Sequence, residues 1–341
     1  MNNSIYYPIE RIPTGYELIE VATNLYWMRM PMPFKLDHIN LWLIEGKNDW
    51  TVIDSGLNLD NSKAYWQKLI STKFKNKPIK QVICTHMHPD HLGLSGWLCE
   101  EYGAKLWISQ GEYDSYQALH SKIQQMDYSS SDDFYHANGS DHTQISHYKK
   151  HIGMFTQYVH ALPVNYRRLI DNEVIMLGEY EWLVVMGSGH SPEHACLWCK
   201  SLNVFISGDQ ILPTISSNIS VYPEEPDADP LKCWLDSCHK LHDLLDDDVF
   251  VLPAHGKPFT GVKKRLIDQI NEIEENLIKL ANFCTTPKRV VDGFEVLFYS
   301  EITHKNFILA IGESRAHFNH LKYKNIVKSY TDDQNVFWYC K

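Results

Sequence analysis

At 341 residues, with 44% hydrophobic and 22% charged side chains, the chain has the make-up of a soluble globular protein and room for one large α/β domain with a small appendage. Its formal net charge of −10 argues against a surface built to draw in nucleic acid or anionic lipid. The first residues lack the basic start and apolar run of a secretory signal, and no window approaches roughly 18 uninterrupted apolar residues. A cytoplasmic protein with no membrane span is therefore expected. The eight cysteines are scattered, mostly in apolar runs, and read as reduced thiols.

Residues 17–55 carry strand-type runs with a turn at Gly46-Lys47-Asn48-Asp49. A helix is predicted over 60–72, with Tyr65, Leu69 and Ile70 on one face. A buried strand at 81–86 ends abruptly at histidines, a helix follows and stops at Gly103, and 105–109 is another short strand. This strand–helix–strand rhythm between hairpins predicts an α/β sandwich. Residues 110–166 break it. Two helices are expected around 111–127 and 143–161, joined by a polar connector at 129–141. The segment reads equally as a lid over a site or as a solvated helical hairpin.

Strand signals return at 173–178, 181–190, 196–199 and 203–209, before a Pro-rich loop over 211–230, a helix near 231–244 and a last strand at 249–254. Cys196 and Cys199 form a CxxC, but inside a strand, where residues three apart point to opposite faces, so neither a metal nor a redox role is expected. From Val262 the character changes: a long amphipathic helix over 263–284, two shorter helical runs and a hairpin-like 326–340. The division expected is a catalytic domain over 1–261 and a small, winged-helix-like domain over 262–341.

The sharpest feature is Thr85-His86-Met87-His88-Pro89-Asp90-His91 at the end of an apolar strand. Three imidazoles and a carboxylate within six residues form a donor set that suits borderline divalent cations such as zinc, and Pro89 stiffens the loop that fans them out. Three more candidates sit just past other buried runs, each shaped by Gly or Pro: His190 in Gly187-Ser188-Gly189-His190, Asp209 in Ser207-Gly208-Asp209, and His255 in Pro253-Ala254-His255-Gly256. Singly each is weak, since an aspartate after a strand is commonly a turn residue. In this order, with the first motif, they are strong.

These residues resemble the HxHxDH signature and remaining ligand positions of the metallo-β-lactamase superfamily, over roughly residues 20–260. The resemblance implies an αββα sandwich with a site at one edge of two mixed sheets. It implies that His86, His88 and His190 hold one divalent metal ion and Asp90, His91 and His255 a second, with Asp209 bridging. It also makes Asp54, in the run Val52-Ile53-Asp54-Ser55-Gly56, similar to the family's buried aspartate that orients the ligand loop. Asp90, Asp54 and His194 are the candidates for catalytic roles, His194 as either a structural or a substrate-facing histidine. The antibiotic-destroying branch of the family lacks the bridging aspartate, whereas glyoxalase-II-like thioesterases, lactonases and tRNA-processing phosphodiesterases have it. The tail resembles the winged-helix extension of one hydrolase subgroup that includes a mitochondrial endoribonuclease.

Two cations about 3.5–4 Å apart share a water and lower its pKa towards neutrality. No GxSxG elbow or P-loop offers another mechanism. The expected function is hydrolysis of a thioester or ester of a small-molecule acyl substrate by a hydroxide shared between two metal ions, zinc first, with iron or manganese also suited to these ligands. A lactonase and a metal-dependent endoribonuclease are the alternatives. A non-catalytic metal-binding or signalling protein is disfavoured by the complete ligand set. Against the nuclease, residues 1–261 carry 20 Lys+Arg and 32 Asp+Glu, a net of −12, and residues 262–341 carry 12 and 10, only +2. The run 312–325 has the basic residues of a DNA-recognition helix, but Glu313 interrupts it and Phe318, Leu321 and Tyr323 are expected to face a core or, in a homodimer, a second copy. Protein purified without chelator should carry two metal ions per chain by elemental analysis, and Asp209→Ala should lower occupancy of both, because a shared carboxylate offsets the repulsion between two cations. Retention of both ions in that variant would remove the bridging role.

Overall fold

A computed structural model describes residues 4–74, 76–126 and 128–341. Seven strands form the first sheet in chain order: β1 (Ile19–Ala22), β2 (Leu25–Pro31), β3 (His38–Glu45), β4 (Trp50–Ile53), β5 (Ile79–Ile83), β6 (Lys105–Ser109) and β7 (Arg167–Leu169). The first four pair antiparallel and β4 to β7 parallel. The second sheet holds β8 (Val174–Leu177), β9 (Tyr180–Gly187), β10 (His194–Cys199), β11 (Val204–Gly208) and β12 (Phe250–Pro253), in the order β12-β11-β10-β9-β8. Only β11 and β12 are parallel there.

Side-chain alternation along these strands sorts the apolar residues onto two faces per sheet. Trp27, Trp42, Ile53 and Ile83 of the first sheet meet Trp182, Val184, Leu197 and Ile206 of the second in a core between the sheets. Ile39, Leu41, Leu43 and Val82 point outward beneath α1 (Asp60–Lys73), the one-turn α2 (Pro89–Leu92) and α3 (Ser95–Tyr102). The buried face of α1 is centred on Trp66 and Leu69, with Tyr65 and Ile70 only half-buried, a shift of one position from the expected stripe. On β10, Cys196 joins the outer core and Cys199 the inner one, on opposite faces, and all eight cysteines are free.

The insertion holds α4 (Gln110–Gln125), α5 (Ser129–Ala137) and α6 (His142–Gln157). The expected polar connector at 129–141 is thus largely a third helix. Phe134 and Tyr135 explain the difference: both are buried, and Tyr135 packs on Tyr148 of α6 with ring centroids 4.4 Å apart, so tertiary packing overrides a weak local helix signal. The strand β7 was not legible either, since Arg167-Arg168-Leu169 carries no apolar alternation.

Behind the second sheet lie α7 (Pro230–Leu244), α8 (Val262–Phe283), a 3₁₀ turn at Val291–Gly293, α9 (Phe294–Leu297) and α10 (Phe307–Tyr323), followed by the hairpin β13 (Lys328–Thr331) and β14 (Phe337–Cys340). One continuous core joins this tail to the sheet and the insertion: Val185, Phe205, Trp234, Leu266, Phe318, Tyr339 and Phe134 belong to a single cluster. Residues Ser314 to Leu321 of α10 are buried, whereas Tyr323 is about half exposed. Among the described residues no helix is long and apolar enough to cross a membrane. Because the tail shares its core with the sheet, Phe318→Ala should cost the whole molecule about 3–5 kcal/mol in one denaturant transition. An early, separate transition confined to the tail would contradict a shared core.

Candidate metal centre

The strands β4, β5, β9, β11 and β12 end at one edge of the sandwich, and the chain leaves each as a turn that carries a functional side chain. The loop after β5 brings His86 and His88 and the one-turn α2 that follows brings Asp90 and His91, while the loops after β9, β11 and β12 bring His190, Asp209 and His255. Ligand-capable atoms of His86, His88, His190 and Asp209 all lie within 4.8 Å of one another, and so do those of Asp90, His91 and His255. Asp209 faces both sets. One oxygen is 3.4 Å from His190 Nε2 and 3.6 Å from His91 Nε2, and the other is 3.4 Å from His255 Nε2. All seven expected ligands are therefore brought together.

The ring orientations are set from outside the cluster. His190 Nδ1 donates to the Asn218 carbonyl at 2.7 Å, and His255 Nδ1 to the His38 carbonyl at 2.8 Å. Asp54 accepts from Thr85 N–H at 2.8 Å, from the Thr85 hydroxyl at 2.9 Å and from His91 Nδ1 at 2.8 Å. With its one proton given to Asp54, the Thr85 hydroxyl accepts from His86 Nδ1 at 3.1 Å. Each Nδ1–H so engaged leaves the Nε2 lone pair aimed at the cluster. His88 instead turns Nδ1 inward, 2.9 Å from His86 Nε2.

This donor set fits divalent metal ions. Among the described residues, His91 Nε2 and Asp209 Oδ1 are buried polar atoms with no hydrogen-bond partner, an arrangement that a cation satisfies and an apolar core does not. Burial and the neighbouring imidazoles hold His86 well below the usual histidine range, and burial with His190 alongside pushes His88 down to about 3, so both rings are neutral, the form that binds a metal. Burial alone would lower His91 as well, but the Asp54, Asp90 and Asp209 carboxylates hold it well above its ordinary value, so a cation binding at Nε2 would take the place of a proton there. Asp90 resists burial through His91 and His255 and stays ionised, down to about 2. His88 and Asp90 are only half-buried and mark the open side.

His194 is engaged with the backbone of Asp209. Its ring is fully buried, and Nε2 accepts the Asp209 backbone N–H at 3.0 Å, with burial pushing it down to about 3. Of the two roles expected for His194, structural or substrate-facing, this contact supports the structural one. Gly208 makes this contact possible: φ is +51°, and a Cβ there would sit 2.5 Å from the His194 ring.

Several supporting residues carry no sequence signal. Glu112 at the start of α4 is fully buried and accepts Met87 N–H at 2.9 Å and Glu193 N–H at 2.8 Å, tying the histidine loop to the loop after β9. Burial raises its carboxyl above the ordinary range. Asn40 donates to the Pro253 and Gly256 carbonyls, both at 2.9 Å, and His38 accepts Gly256 N–H at 2.9 Å, which together hold the His255 turn. Nothing marks these residues in the chain except their type, because their partners lie far away in sequence.

Residues 35–255 match the model of the metallo-beta-lactamase superfamily, and residues 277–341 match the metallo-beta-lactamase-like, C-terminal domain. The chain belongs to the metallo-β-lactamase superfamily. It is 24% identical over 330 residues to the probable metallo-hydrolase YqjP of Bacillus subtilis (strain 168), covering 91% of this chain and 96% of that protein. It is 22% identical over 274 residues to the acyl-coenzyme A thioesterase MBLAC2 of Homo sapiens, covering 77% and 87%. A crystal structure of a beta-lactamase domain protein from Burkholderia ambifaria superposes with a TM-score of 0.90 at 32% identity, over 99% of this chain and 98% of that one.

The Asp54 network yields a sharp test. Asparagine tolerates the left-handed backbone of residue 54 (φ +61°), but its amide offers a donor where His91 Nδ1–H needs an acceptor. Asp54→Asn should turn His91 to the other tautomer and weaken the Asp90–His91–His255 site about 10–100-fold in chelator competition, with far-ultraviolet circular dichroism unchanged. Equal affinity in the two proteins would remove Asp54 from the orienting role.

Proposed function

We propose that the chain is a hydrolase of a small acyl substrate that uses two divalent metal ions, zinc first, to cleave a thioester or ester. The observation that carries this reading is the divided donor cluster, two sets that share the Asp209 carboxylate at an open sheet edge. Bound there, two divalent cations supply a polarising charge for a carbonyl oxygen and a water of lowered pKa. His86, His88 and His190 would hold one ion and Asp90, His91 and His255 the other, with Asp209 between them. Asp90 lies on the open side, ionised and ready to accept a hydrogen bond from the attacking water and orient it. Phe155 sets its ring 6.4 Å from that of His88, apolar surface suited to an acyl group beside the reacting carbonyl.

The thioester preference draws support from the relatives named as acyl-coenzyme A thioesterases. Burial of α10 from Ser314 to Leu321 covers most of the recognition-like run, and the acidic first 261 residues disfavour a phosphodiester channel. A lactone, with the same carbonyl chemistry, is the second reading. Assays of acyl-coenzyme A thioesters, lactones and single-stranded RNA, with metal content measured on the same preparation, decide between them. Thioester turnover should require metal and fall by roughly a thousandfold in His88→Ala, the worth of several kcal/mol of charge stabilisation. Efficient RNA cleavage with no thioester or lactone hydrolysis would overturn the proposal.

A further inference from the structure

The segment between β11 and α7 has no ladder of its own around residue 218, so its shape depends on what grips it. That grip comes from α10, in the tail. Asn218 donates from its side-chain amide to Glu313 Oε2 at 2.7 Å and to the Leu309 carbonyl at 3.3 Å. Ser220 Oγ donates to Asn218 Oδ1 at 2.5 Å, and Val221 N–H to the Gly312 carbonyl at 3.0 Å. A Cβ at Gly312 would lie 2.7 Å from Ser220 Oγ and 3.0 Å from the Val221 carbonyl, so the absence of a side chain at Gly312 sets how closely loop and helix approach. Further along, Arg315 and Asn319 both donate to the Pro226 carbonyl.

The same Asn218 presents its backbone carbonyl to His190 Nδ1 at 2.7 Å. A carbonyl that takes the Nδ1 proton fixes both the tautomer and the direction of a metal-binding imidazole. With no sheet or helix to orient that carbonyl, the Asn218 side chain is its main anchor, and Glu313 accepts the shorter of that amide's two hydrogen bonds to α10. Burial pushes the Glu313 carboxyl up to about 7, and a carboxyl oxygen accepts from the Asn218 amide in either the neutral or the ionised form. Ser217, next along, donates to the Asp209 carbonyl, so the gripped segment touches the backbone or ring of two expected ligands.

We propose that Glu313, through Asn218, is a positioning residue for His190, which makes the tail helix α10 part of the support of the metal centre. This rests on the reading of His190 as a ligand. The expected effect is about a 10–100-fold loss of affinity at the histidine-rich site when the link is cut, read by chelator competition and by the visible spectrum of the cobalt-substituted protein. Glu313→Ala should show that loss, while Glu313→Gln, whose amide oxygen still accepts from Asn218, should stay within a few-fold of the parent. Asn218→Ala, which keeps the carbonyl and removes the anchor, should behave as Glu313→Ala does and covers the case in which that variant fails to fold. Parent-like affinity in Glu313→Ala or in Asn218→Ala, measured beside a His190→Ala control that has lost the site, overturns the link alone. Equal loss in Glu313→Gln and Glu313→Ala overturns the hydrogen-bond argument. A parent protein that takes up no metal overturns the reading of the centre itself.

Discussion

A single buried carboxylate, Asp54, organises the edge on which everything else is assembled. It is 1% exposed and takes three hydrogen bonds, two from Thr85 and one from His91. Its left-handed backbone costs roughly 1–2 kcal/mol. Hydrogen bonds to a charged group contribute about 1.5–3 kcal/mol each, so three of them outweigh that strain. The left-handed turn is what carries the chain from the end of β4 into the space beside the end of β5. From there one side chain holds both the start of the ligand loop and the ring that ends it. Without the carboxylate, Thr85 N–H and His91 Nδ1–H would be buried donors without partners.

The same logic repeats around the centre with different atoms. Carbonyls of His38 and Asn218 orient His255 and His190, the His194 ring holds the backbone of Asp209, and Glu112 ties two ligand loops together. Each orienting group belongs to a different stretch of chain. The centre is thus the meeting point of both sheets and the insertion. Strand ends place the turns, and buried polar contacts decide the last few ångströms.

This explains why the two additions to the sandwich pack as tightly as they do. The insertion contributes Glu112 directly to the ligand loops and buries Phe134 and Tyr135 in the core that also holds the tail. In the tail, Arg315 is 1% exposed on α10, where its guanidinium reaches Tyr339 and Asn138, lies 4.5 Å from the Phe337 ring and donates to the Pro226 carbonyl. One buried cation therefore fastens the hairpin, the insertion and the loop beside the centre to a single helix.

The sequence by itself determined the sandwich and the donor side chains gathered at its edge. Apolar runs that stop at His, Asp, Gly or Pro are local signals, and those that end at His86, Asp209 and His255 lie within a few residues of the strands that place them. Gly103 closing a helix and the separation of Cys196 from Cys199 are equally local consequences of backbone geometry. Only the tertiary structure decided which groups orient those ligands, because the pairs are remote along the chain. Glu112 meets residues 25 and 81 positions away, His38 serves His255 across 217, and Asn218 serves His190 across 28. It also decided that α5 is a helix and that His194 is interior, since both follow from burial against distant elements. A side chain's type announces what it can bond, but its partner is chosen by packing, and no spacing rule in one sequence encodes a contact between segments that meet only when the sheets close.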